Sequence, residues 1–309
     1  MKKSLSAVMS LCIALSVHAE TSTNSPTPLP VTIVQGVGTS SEAEPVAEAA
    51  PVGPYNQPEW TTARRFPTTR VYLQQMPGEV GVEQWVKSQW PRGTGPNYSF
   101  EEEVEIGLPH RFQFDLYEVW DVGPVDNNRP NVPNGKVMED CISTELRYAL
   151  ADWGKIFGNP TVYAEWTFRN HALGADRYEI KLLLGDQIAQ RWHWGANIVF
   201  EQEVGQVRTR EYSGDAAISY TMIDRKLSVG LELKVENEAP QSNPLTPIEV
   251  DLGPSIQWRP TRNTHLDVVP LVGLTSDSPH VEMWIVFGYD FGSGSSHKEI
   301  SAPVSMRSQ

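Results

Sequence analysis

The chain has 309 residues and a formal net charge of −13 at pH 7, with a pI of about 5.0. This acidic balance argues against nucleic-acid binding, which needs a basic face. The mean hydropathy is −0.36, and no apolar run after the N-terminus approaches the roughly 18 residues of a membrane-spanning helix. A membrane β-barrel is not excluded, because the alternating polar and apolar residues of its strands average out on a hydropathy scale.

The first 19 residues have the pattern of a secretory signal peptide. Lys2 and Lys3 form a charged start, Leu5–Val17 is apolar, and a small-residue cleavage site ends at Ala19. We therefore expect export from the cytoplasm, with the mature chain starting after residue 19.

Two segments precede the strands. Residues 20–58 are rich in Pro, Ser, Thr, Ala and Glu without a usable period, which predicts a disordered periplasmic arm. Residues 59–78 are aromatic and basic, and include Trp60, Arg64, Arg65, Phe66, Arg70 and Tyr72. This second segment is either a periplasmic lead-in to the strands or a small plug folded back among them, and the lead-in is preferred.

Residues 79–291 contain about twelve amphipathic strands with a period of two. In Val281–Phe291 the residues of odd number are apolar, whereas those of even number are mostly polar or small. Roughly ten residues suffice for a tilted strand to cross a membrane. Because only a closed barrel pairs every backbone group of such strands in lipid, the pattern predicts an all-β fold, a transmembrane antiparallel up-and-down β-barrel.

The predicted connections alternate in length. Short ones lie at Gly107–His110, Ile223–Arg225 and Arg259–Asn263. Longer ones lie near residues 123–140, 170–176 and 237–247. An even strand number places both ends of the barrel and the short turns on the periplasmic side, with the long loops outside. Residues 292–309 are predicted to be a disordered polar tail.

Aromatic residues fall near the predicted strand ends, where membrane interfaces favour them. The periplasmic set is Phe112, Trp153, Trp192, Trp258, Tyr289 and Phe291. The outer set is Trp120, Phe168, Tyr178, Phe200 and Tyr212. The alternative is that these residues form the core of a soluble β protein. Pro254 and Pro270 interrupt two predicted strands, where we expect bulges.

Four segments of the sequence resemble an outer-membrane protein family grouped under the MetA pathway of phenol degradation. They are Glu105–Glu118, Ile218–Gly230, Gly253–Pro260 and Val286–Phe291. The resemblance covers Val80 to Phe291, without the arm or the tail. It implies a transporter-like outer-membrane barrel for hydrophobic or aromatic compounds, and it transfers no catalytic residue.

The inward face of the predicted strands carries many more acids than bases. The candidate lumen and selectivity residues are Glu101, Glu103, Asp115, Glu145, Arg147, Glu165, Lys181, Glu201, Glu232, Lys234, Asp251 and Glu282. They could form a packed lumen of salt bridges and water. They could equally line a narrow cation-favouring pore, since rings of Asp and Glu select cations.

An enzyme would need a nucleophile, a base and an orienting group close together. The inward face by parity carries His193, Ser143, Ser219 and Ser228. His265 and Asp267 share one strand face beside a predicted periplasmic turn. Cys12 leaves with the signal, so Cys141 stands alone in a predicted loop and no internal disulfide is expected. We predict no enzyme, no metal and no cofactor.

The sequence therefore predicts an outer-membrane barrel, secreted in a Gram-negative-type bacterium, that passes a small hydrophobic, aromatic or cationic solute through an acidic lumen. Its predicted partners are outer-membrane lipid, the barrel-assembly machinery and the solute. The first alternative is a plugged structural or surface-binding barrel without transport. An outer-membrane lipid or ester hydrolase is the second alternative.

Overall fold

The computed structural model describes residues 47–93, 95–122, 137–205, 208–240 and 248–292. The predicted signal peptide, residues 20–46 of the predicted arm, most of the predicted loop 123–140 and the predicted tail after residue 292 lie outside the described residues. Within the described residues, no helix is long and apolar enough to cross a membrane.

Twelve antiparallel strands close into a barrel, in which each strand pairs with its neighbours in sequence and the last pairs with the first. The strands are β3 (Val80–Trp90), β4 (Asn97–Leu108), β5 (Phe112–Val122), β6 (Val137–Ala149), β7 (Thr161–Arg169), β8 (Arg177–Ala189), β9 (Trp192–Glu203), β10 (Thr209–Ile223), β11 (Leu227–Pro240), β12 (Glu249–Thr261), β13 (Thr264–Gly273) and β14 (Val281–Phe291). The predicted up-and-down barrel is confirmed. Before it come a short pair, β1 (Pro51–Val52) and β2 (Gln57–Pro58), and 3-10 turns at Ala47–Ala49 and Glu59–Thr62.

The strands alternate as their period of two requires. On β14, Glu282 and Val286 are buried, whereas Phe287 is 50% exposed. The predicted belt residues Phe168 and Tyr212 lie 54% and 56% exposed on the outer surface. The inside is thus polar and the outside apolar, the reverse of a soluble core. This arrangement argues against the alternative in which the aromatics form a soluble β core.

The two ends of the barrel differ. One end, here called the turn end, carries the start of β3, the end of β14 and the connections after β4, β6, β8, β10 and β12. The other end, the loop end, carries the remaining connections. The turn end also holds one long connection, residues 150–160 between β6 and β7. Trp153 in this connection is only 9% exposed, so its predicted place in an interface belt is wrong.

A β-bulge shifts the register of β6. Val119 pairs with Cys141, but Trp120 pairs with Glu139, which leaves Asp140 as the extra residue. Both Asp140 and Cys141 are buried, because a bulge turns two successive side chains towards the same face. Cys141 therefore lies on a strand and not in the predicted loop.

The bulges predicted at the two prolines are absent. The β12–β13 register is the same on either side, with Leu252 opposite Val272 and Ile256 opposite Val268. This constant register puts Pro254 directly opposite Pro270. Proline has no amide hydrogen to donate. Two prolines that face each other therefore interrupt the hydrogen bonds between the two strands at one place, whereas two staggered prolines would interrupt them at two places.

Candidate functional site

Residues 47–79, here called the plug, lie inside the barrel at its turn end. Trp60, Phe66, Tyr72 and Leu73 are all at most 1% exposed, so the segment has an apolar core of its own. The preference for a periplasmic lead-in is therefore wrong, and the predicted disorder is wrong for residues 47–58. The sequence of residues 47–79 shows neither a helix period nor a strand period, because the contacts of this segment are made with strands that are distant in the chain.

The apolar cluster of the plug consists of Tyr55, Trp60, Phe66, Val71, Tyr72, Leu73, Ala149, Trp153 and Ala217. Of these, the barrel strands contribute two alanines, and the β6–β7 connection contributes Trp153. The Trp153 ring lies edge-on to Trp60 and Tyr72, with ring centroids 5.6 and 5.2 Å apart, a favourable aromatic geometry. The plug thus packs mainly against itself and against the 150–160 connection.

Side chains of the wall hold the main chain of the plug by hydrogen bonds. Asn197 accepts from the Arg70 amide at 2.8 Å and donates to the Arg70 carbonyl at 2.8 Å. Gln113 accepts from the Gln74 amide at 2.8 Å, and the amide group of Gln257 donates to two consecutive plug carbonyls. These contacts satisfy buried backbone groups that the irregular plug cannot pair internally.

Glycines make room for the plug in the wall. A Cβ atom on Gly107 would lie 1.9 Å from the carbonyl oxygen of Met76. A Cβ on Gly185 or Gly195 would lie 2.5 or 2.7 Å from methyl carbons of Val71. These close approaches are possible because glycine carries no side chain.

Arg64 of the plug is the centre of a buried ionic cluster. Its guanidinium lies 2.5 Å from Glu83, 2.8 Å from Glu103 and 2.9 Å from Glu105. The same group lies over the Trp85 ring, 4.4 Å from the ring centroid. Multiple carboxylates and an aromatic face are the partners that a planar guanidinium suits best.

A second buried cluster adjoins the first. Arg147 lies 2.9 Å from Asp115, is paired with Glu145, and donates to the side chain of Gln74 in the plug at 2.8 Å. Arg70 of the plug lies 3.4 Å from Glu103. The predicted lumen residues Glu103, Asp115, Glu145 and Arg147 are therefore brought together beside the plug.

Further predicted lumen residues meet the plug or each other. Glu232 accepts hydrogen bonds from the amide (2.9 Å) and the hydroxyl of Thr68. Glu282 lies between Lys87 (3.3 Å) and Lys234 (3.6 Å). Both lysines also line the cavity on the loop-end side of the plug.

Asp251 is also buried in the wall, 1% exposed. It faces Lys234 across the β11–β12 pair. The structure places all twelve candidate residues on the inner side of the wall, as the two-residue period requires.

Above the plug, a cavity of about 810 Å³ occupies the loop-end half of the lumen. Its wall includes the predicted residues Glu101, Glu165, Lys181, Glu201 and Lys234, and its floor includes Thr68 and Arg70. Lys181 lies 2.8 Å from Glu179, and Arg177 lies 3.0 Å from Glu201. The cavity is therefore a charged cup whose floor is the plug.

The plug arginines are not among the predicted site residues, although the excess of inward acids is a signal that favours cations from outside the strands. Arg65 is the third of them, 2.8 Å from Glu48. Glu48 also accepts from the Arg225 amide at 2.6 Å. Burial by itself would raise the pKa of Glu48, but the Arg65 charge and these hydrogen bonds hold that pKa below its ordinary 4.5.

The histidines and serines considered as candidate catalytic residues lie against side chains of the plug and of the barrel wall. The ring of His193 lies 4.6 Å from that of Trp60. Ser219 faces His193 across the β9–β10 pair, but its hydroxyl makes no hydrogen bond within the described residues. His265 lies 3.2 Å from Glu83 and 2.5 Å from Asp267.

The two remaining inward serines are also buried in the wall. Ser143 donates to the hydroxyl of Thr167 at 2.9 Å, and Ser228 is 3% exposed. In the described part of the chain neither histidine is hydrogen-bonded to a serine or cysteine. The paired nucleophile and base that covalent catalysis needs are not formed by these contacts.

Two carboxylate triplets have oxygens close enough to share a cation: Glu83, Glu103 and Glu105, and Glu103, Asp115 and Glu145. Arg64 binds the first triplet and Arg147 contacts two members of the second. The guanidinium groups thus supply the positive charge that a metal ion would otherwise bring.

No family model matches the sequence, and no curated protein matches it. The resemblance to the MetA-pathway family therefore stays a prediction. Among solved structures, the NanC porin is 12% identical, with 69% of this chain and 100% of that chain covered and a TM-score of 0.47. An outer-membrane channel from Pseudomonas putida is 11% identical over 71% and 97% of the two chains, with a TM-score of 0.46.

The β domain of the Bordetella autotransporter BrkA is 9% identical over 70% of this chain and 100% of that chain, with a TM-score of 0.48.

Proposed function

We propose that this protein is an outer-membrane barrel that admits a small solute from its loop end and controls its passage with the plug. The observation that carries the proposal is the division of the lumen into a cup of about 810 Å³ and a plugged half beneath it. A solute that enters the cup meets Arg70 and Thr68 at its floor, so the plug must shift before the solute can pass.

The outer surface supports a membrane location. Large apolar side chains are exposed on strands around the barrel, for example Leu116 at 42%, Leu146 at 44%, Ile198 at 63% and Leu231 at 46%. Such a band is unfavourable in water and suits lipid. Outer-membrane lipid, and the machinery that assembles barrels there, are accordingly the proposed partners, with the turn end on the periplasmic side.

The contacts of the plug support a releasable gate. Its aromatic residues pack against one another and against Trp153 of the β6–β7 connection, and among the described residues one ring contact, Trp60 with His193, reaches a barrel strand. Its contacts with the strands are largely hydrogen bonds and ion pairs. Desolvation offsets much of the attraction in a buried ion pair, so exchanging these contacts for water or for a solute costs less than exposing an equal apolar surface.

The alternative is a permanently plugged barrel whose cup binds a molecule outside the cell. Both functions use the same cup, and they differ in whether the plug leaves the turn end. The charged wall of the cup favours a polar or cationic solute over the hydrophobic compounds that the family resemblance implies.

Conductance in a planar bilayer tests the proposal. The full mature chain in potassium chloride should show rare, small openings. Arg64→Ala removes the nearest cation of Glu83, Glu103 and Glu105 and leaves more distant partners, such as Arg70 at 3.4 Å from Glu103. Poorly compensated buried charge is strongly destabilising. We therefore expect stable and larger conductance steps from this variant.

Arg191→Ala is the matched control, since this arginine pairs with Asp224 at 2.9 Å in a turn outside the lumen. It should behave like the unmodified chain. An Arg64→Ala protein that inserts, shows the gel heat-shift of a folded barrel and stays silent would establish the permanently plugged alternative.

A further inference from the structure

Eight acidic residues occupy directly facing positions on eight successive strands, from β4 to β11. The ladder, as we call this set, runs through Glu105, Asp115, Glu145, Glu165, Glu179, Glu201, Glu211 and Glu238. Each member pairs in register with the next, so the carboxylates form one continuous row across two-thirds of the wall.

The fold does not require this row. Like charges directly opposite one another on neighbouring strands are destabilising. The row beside the ladder on β5, β6 and β7 passes through Tyr117, Ser143 and Thr167, which are neutral. A polar but uncharged row is therefore compatible with the same wall, and the charge of the ladder calls for a functional explanation.

The ladder climbs from the plug to the rim. Glu105, Asp115 and Glu145 are at most 1% exposed, in the part of the wall beside the plug. Glu165, Glu179, Glu201 and Glu211 line the cup, and Glu238 is exposed at the loop end. A cation that enters at the rim thus meets a carboxylate on every strand down to the plug.

The lower end of the ladder already binds guanidinium groups that belong to the chain. Arg64 contacts Glu105 and lies over the Trp85 ring, and Arg147 contacts Asp115 and Glu145. Arg64 thereby shows which chemistry the site holds: a planar cation between carboxylates and an aromatic face.

Two ladder carboxylates retain capacity for a further cation. Glu145 is buried, and its Oε2 accepts no hydrogen bond from the described residues, although the carboxylates of Glu103 and Asp115 lie within 4.8 Å of its own. Glu165 accepts from the hydroxyls of Tyr163 and Thr167, but it forms no ion pair with a described residue.

We infer that the solute is a small organic cation with a guanidinium or ammonium group, which descends the ladder and competes with Arg64 for the lower carboxylates. This inference rests on the proposed function and adds to it the solute class and the means of release. By taking the partners of Arg64, the solute weakens the attachment of the plug. The volume of the cup, about 810 Å³, lies within the range of small-molecule sites.

Uptake into proteoliposomes tests the inference with agmatine, which carries a guanidinium and an ammonium group, and with glutarate, a dianion of similar length. The full chain should admit agmatine at least about tenfold faster than glutarate, because acidic linings favour cations. Glu165→Gln should lower agmatine uptake severalfold and leave glutarate uptake unchanged. Glu118→Gln makes the same change on the outer side of β5 and should alter neither rate.

The two proposals can fail separately. If Arg64→Ala conducts potassium while agmatine is not preferred and Glu165→Gln has no effect, the solute class is wrong and the channel stands. If no variant conducts, calorimetric titration of the detergent-refolded chain with agmatine decides the inference. Binding that Glu165→Gln weakens would retain a cation site in a closed barrel, whereas absence of binding would overturn it.

Discussion

The two halves of one lumen use the same kind of residue for different purposes. In the turn-end half, Glu103 and Glu105 are fully buried and neutralised by plug arginines. In the loop-end half, Glu101 and Glu165 line an open cup. The strand period that aims all four inward is the same. What fills the space therefore decides whether a lumen carboxylate acts as an anchor for the chain or as a partner for a solute.

The comparison also explains the acidic excess of the inner wall. On the strands alone the inward acids outnumber the inward cations, because Arg64 and Arg70, which pair with wall carboxylates, lie on an irregular segment outside the strands. A plug that brings Arg64 and Arg70 against the wall carboxylates offsets charge in the lower half, whereas Arg65 pairs with Glu48 of the plug itself. The upper half keeps its surplus.

The largest effect on the plugged half is expected from Trp153→Ala. This change removes the aromatic contacts with Trp60 and Tyr72, and buried tryptophan truncations cost about 3–5 kcal/mol. Trypsin cleavage after Arg70 under native conditions should accelerate by about a hundredfold or more, since every 1.4 kcal/mol is tenfold. Trp258→Ala, a half-exposed residue on the outer wall, is the control and should leave cleavage slow. Equal rates in both variants would show that the 150–160 connection does not hold the plug.

A smaller displacement is expected from Gly107→Ala. The added methyl would overlap the carbonyl oxygen of Met76, and overpacking of this kind costs about 1–3 kcal/mol. The plug should become accessible to trypsin, while the barrel keeps its gel heat-shift. Gly214→Ala is the matched control, because its Cβ would meet its nearest neighbour at an ordinary 3.5 Å. Resistance to trypsin in Gly107→Ala would mean that the plug does not touch the wall there.

The smallest effect concerns the start of the plug and depends on pH. Because the pKa of Glu48 is lowered in the folded chain, its charge stabilises residues 47–58 above its ordinary pKa of 4.5, and this contribution is lost as the pH falls below that value. Hydrogen exchange in this segment should increase between about pH 5 and about pH 3 after correction for the intrinsic rate. Glu48→Gln should exchange rapidly at both values. An identical pH dependence in the two proteins would contradict the assignment.

Much of the barrel could be predicted from sequence because its wall obeys a local rule. A period of two fixes which side chains face inward, so the inner position of all twelve candidate residues follows from parity. The rule fails where the period is broken. At Asp140 a bulge turns two neighbours inward, and Trp153 lies in a connection whose partner is the plug and not the membrane. The expected bulges are absent because Pro254 and Pro270 face each other, and the register that brings them together cannot be read from the sequence of either strand alone.

The plug could not be predicted in the same way. Its contacts link residues far apart in the chain, such as Arg70 with Asn197 and Thr68 with Glu232, and the irregular backbone has no period to detect. A charge argument could have found it. The excess of inward acids, beside a segment that carries three arginines and several aromatics, favours the entry of those arginines into the lumen.

Hydrogen exchange of the refolded full chain tests the central claim most directly. If the plug lies in the lumen, the amides of Thr68, Arg70 and Gln74, which donate to Glu232, Asn197 and Gln113, should exchange as slowly as amides of the barrel strands. Asn197→Ala should then speed exchange around Arg70 and leave the strands protected. Exchange of residues 59–79 within seconds, from a chain whose strands are protected, would show that the segment lies outside the barrel and would contradict the account.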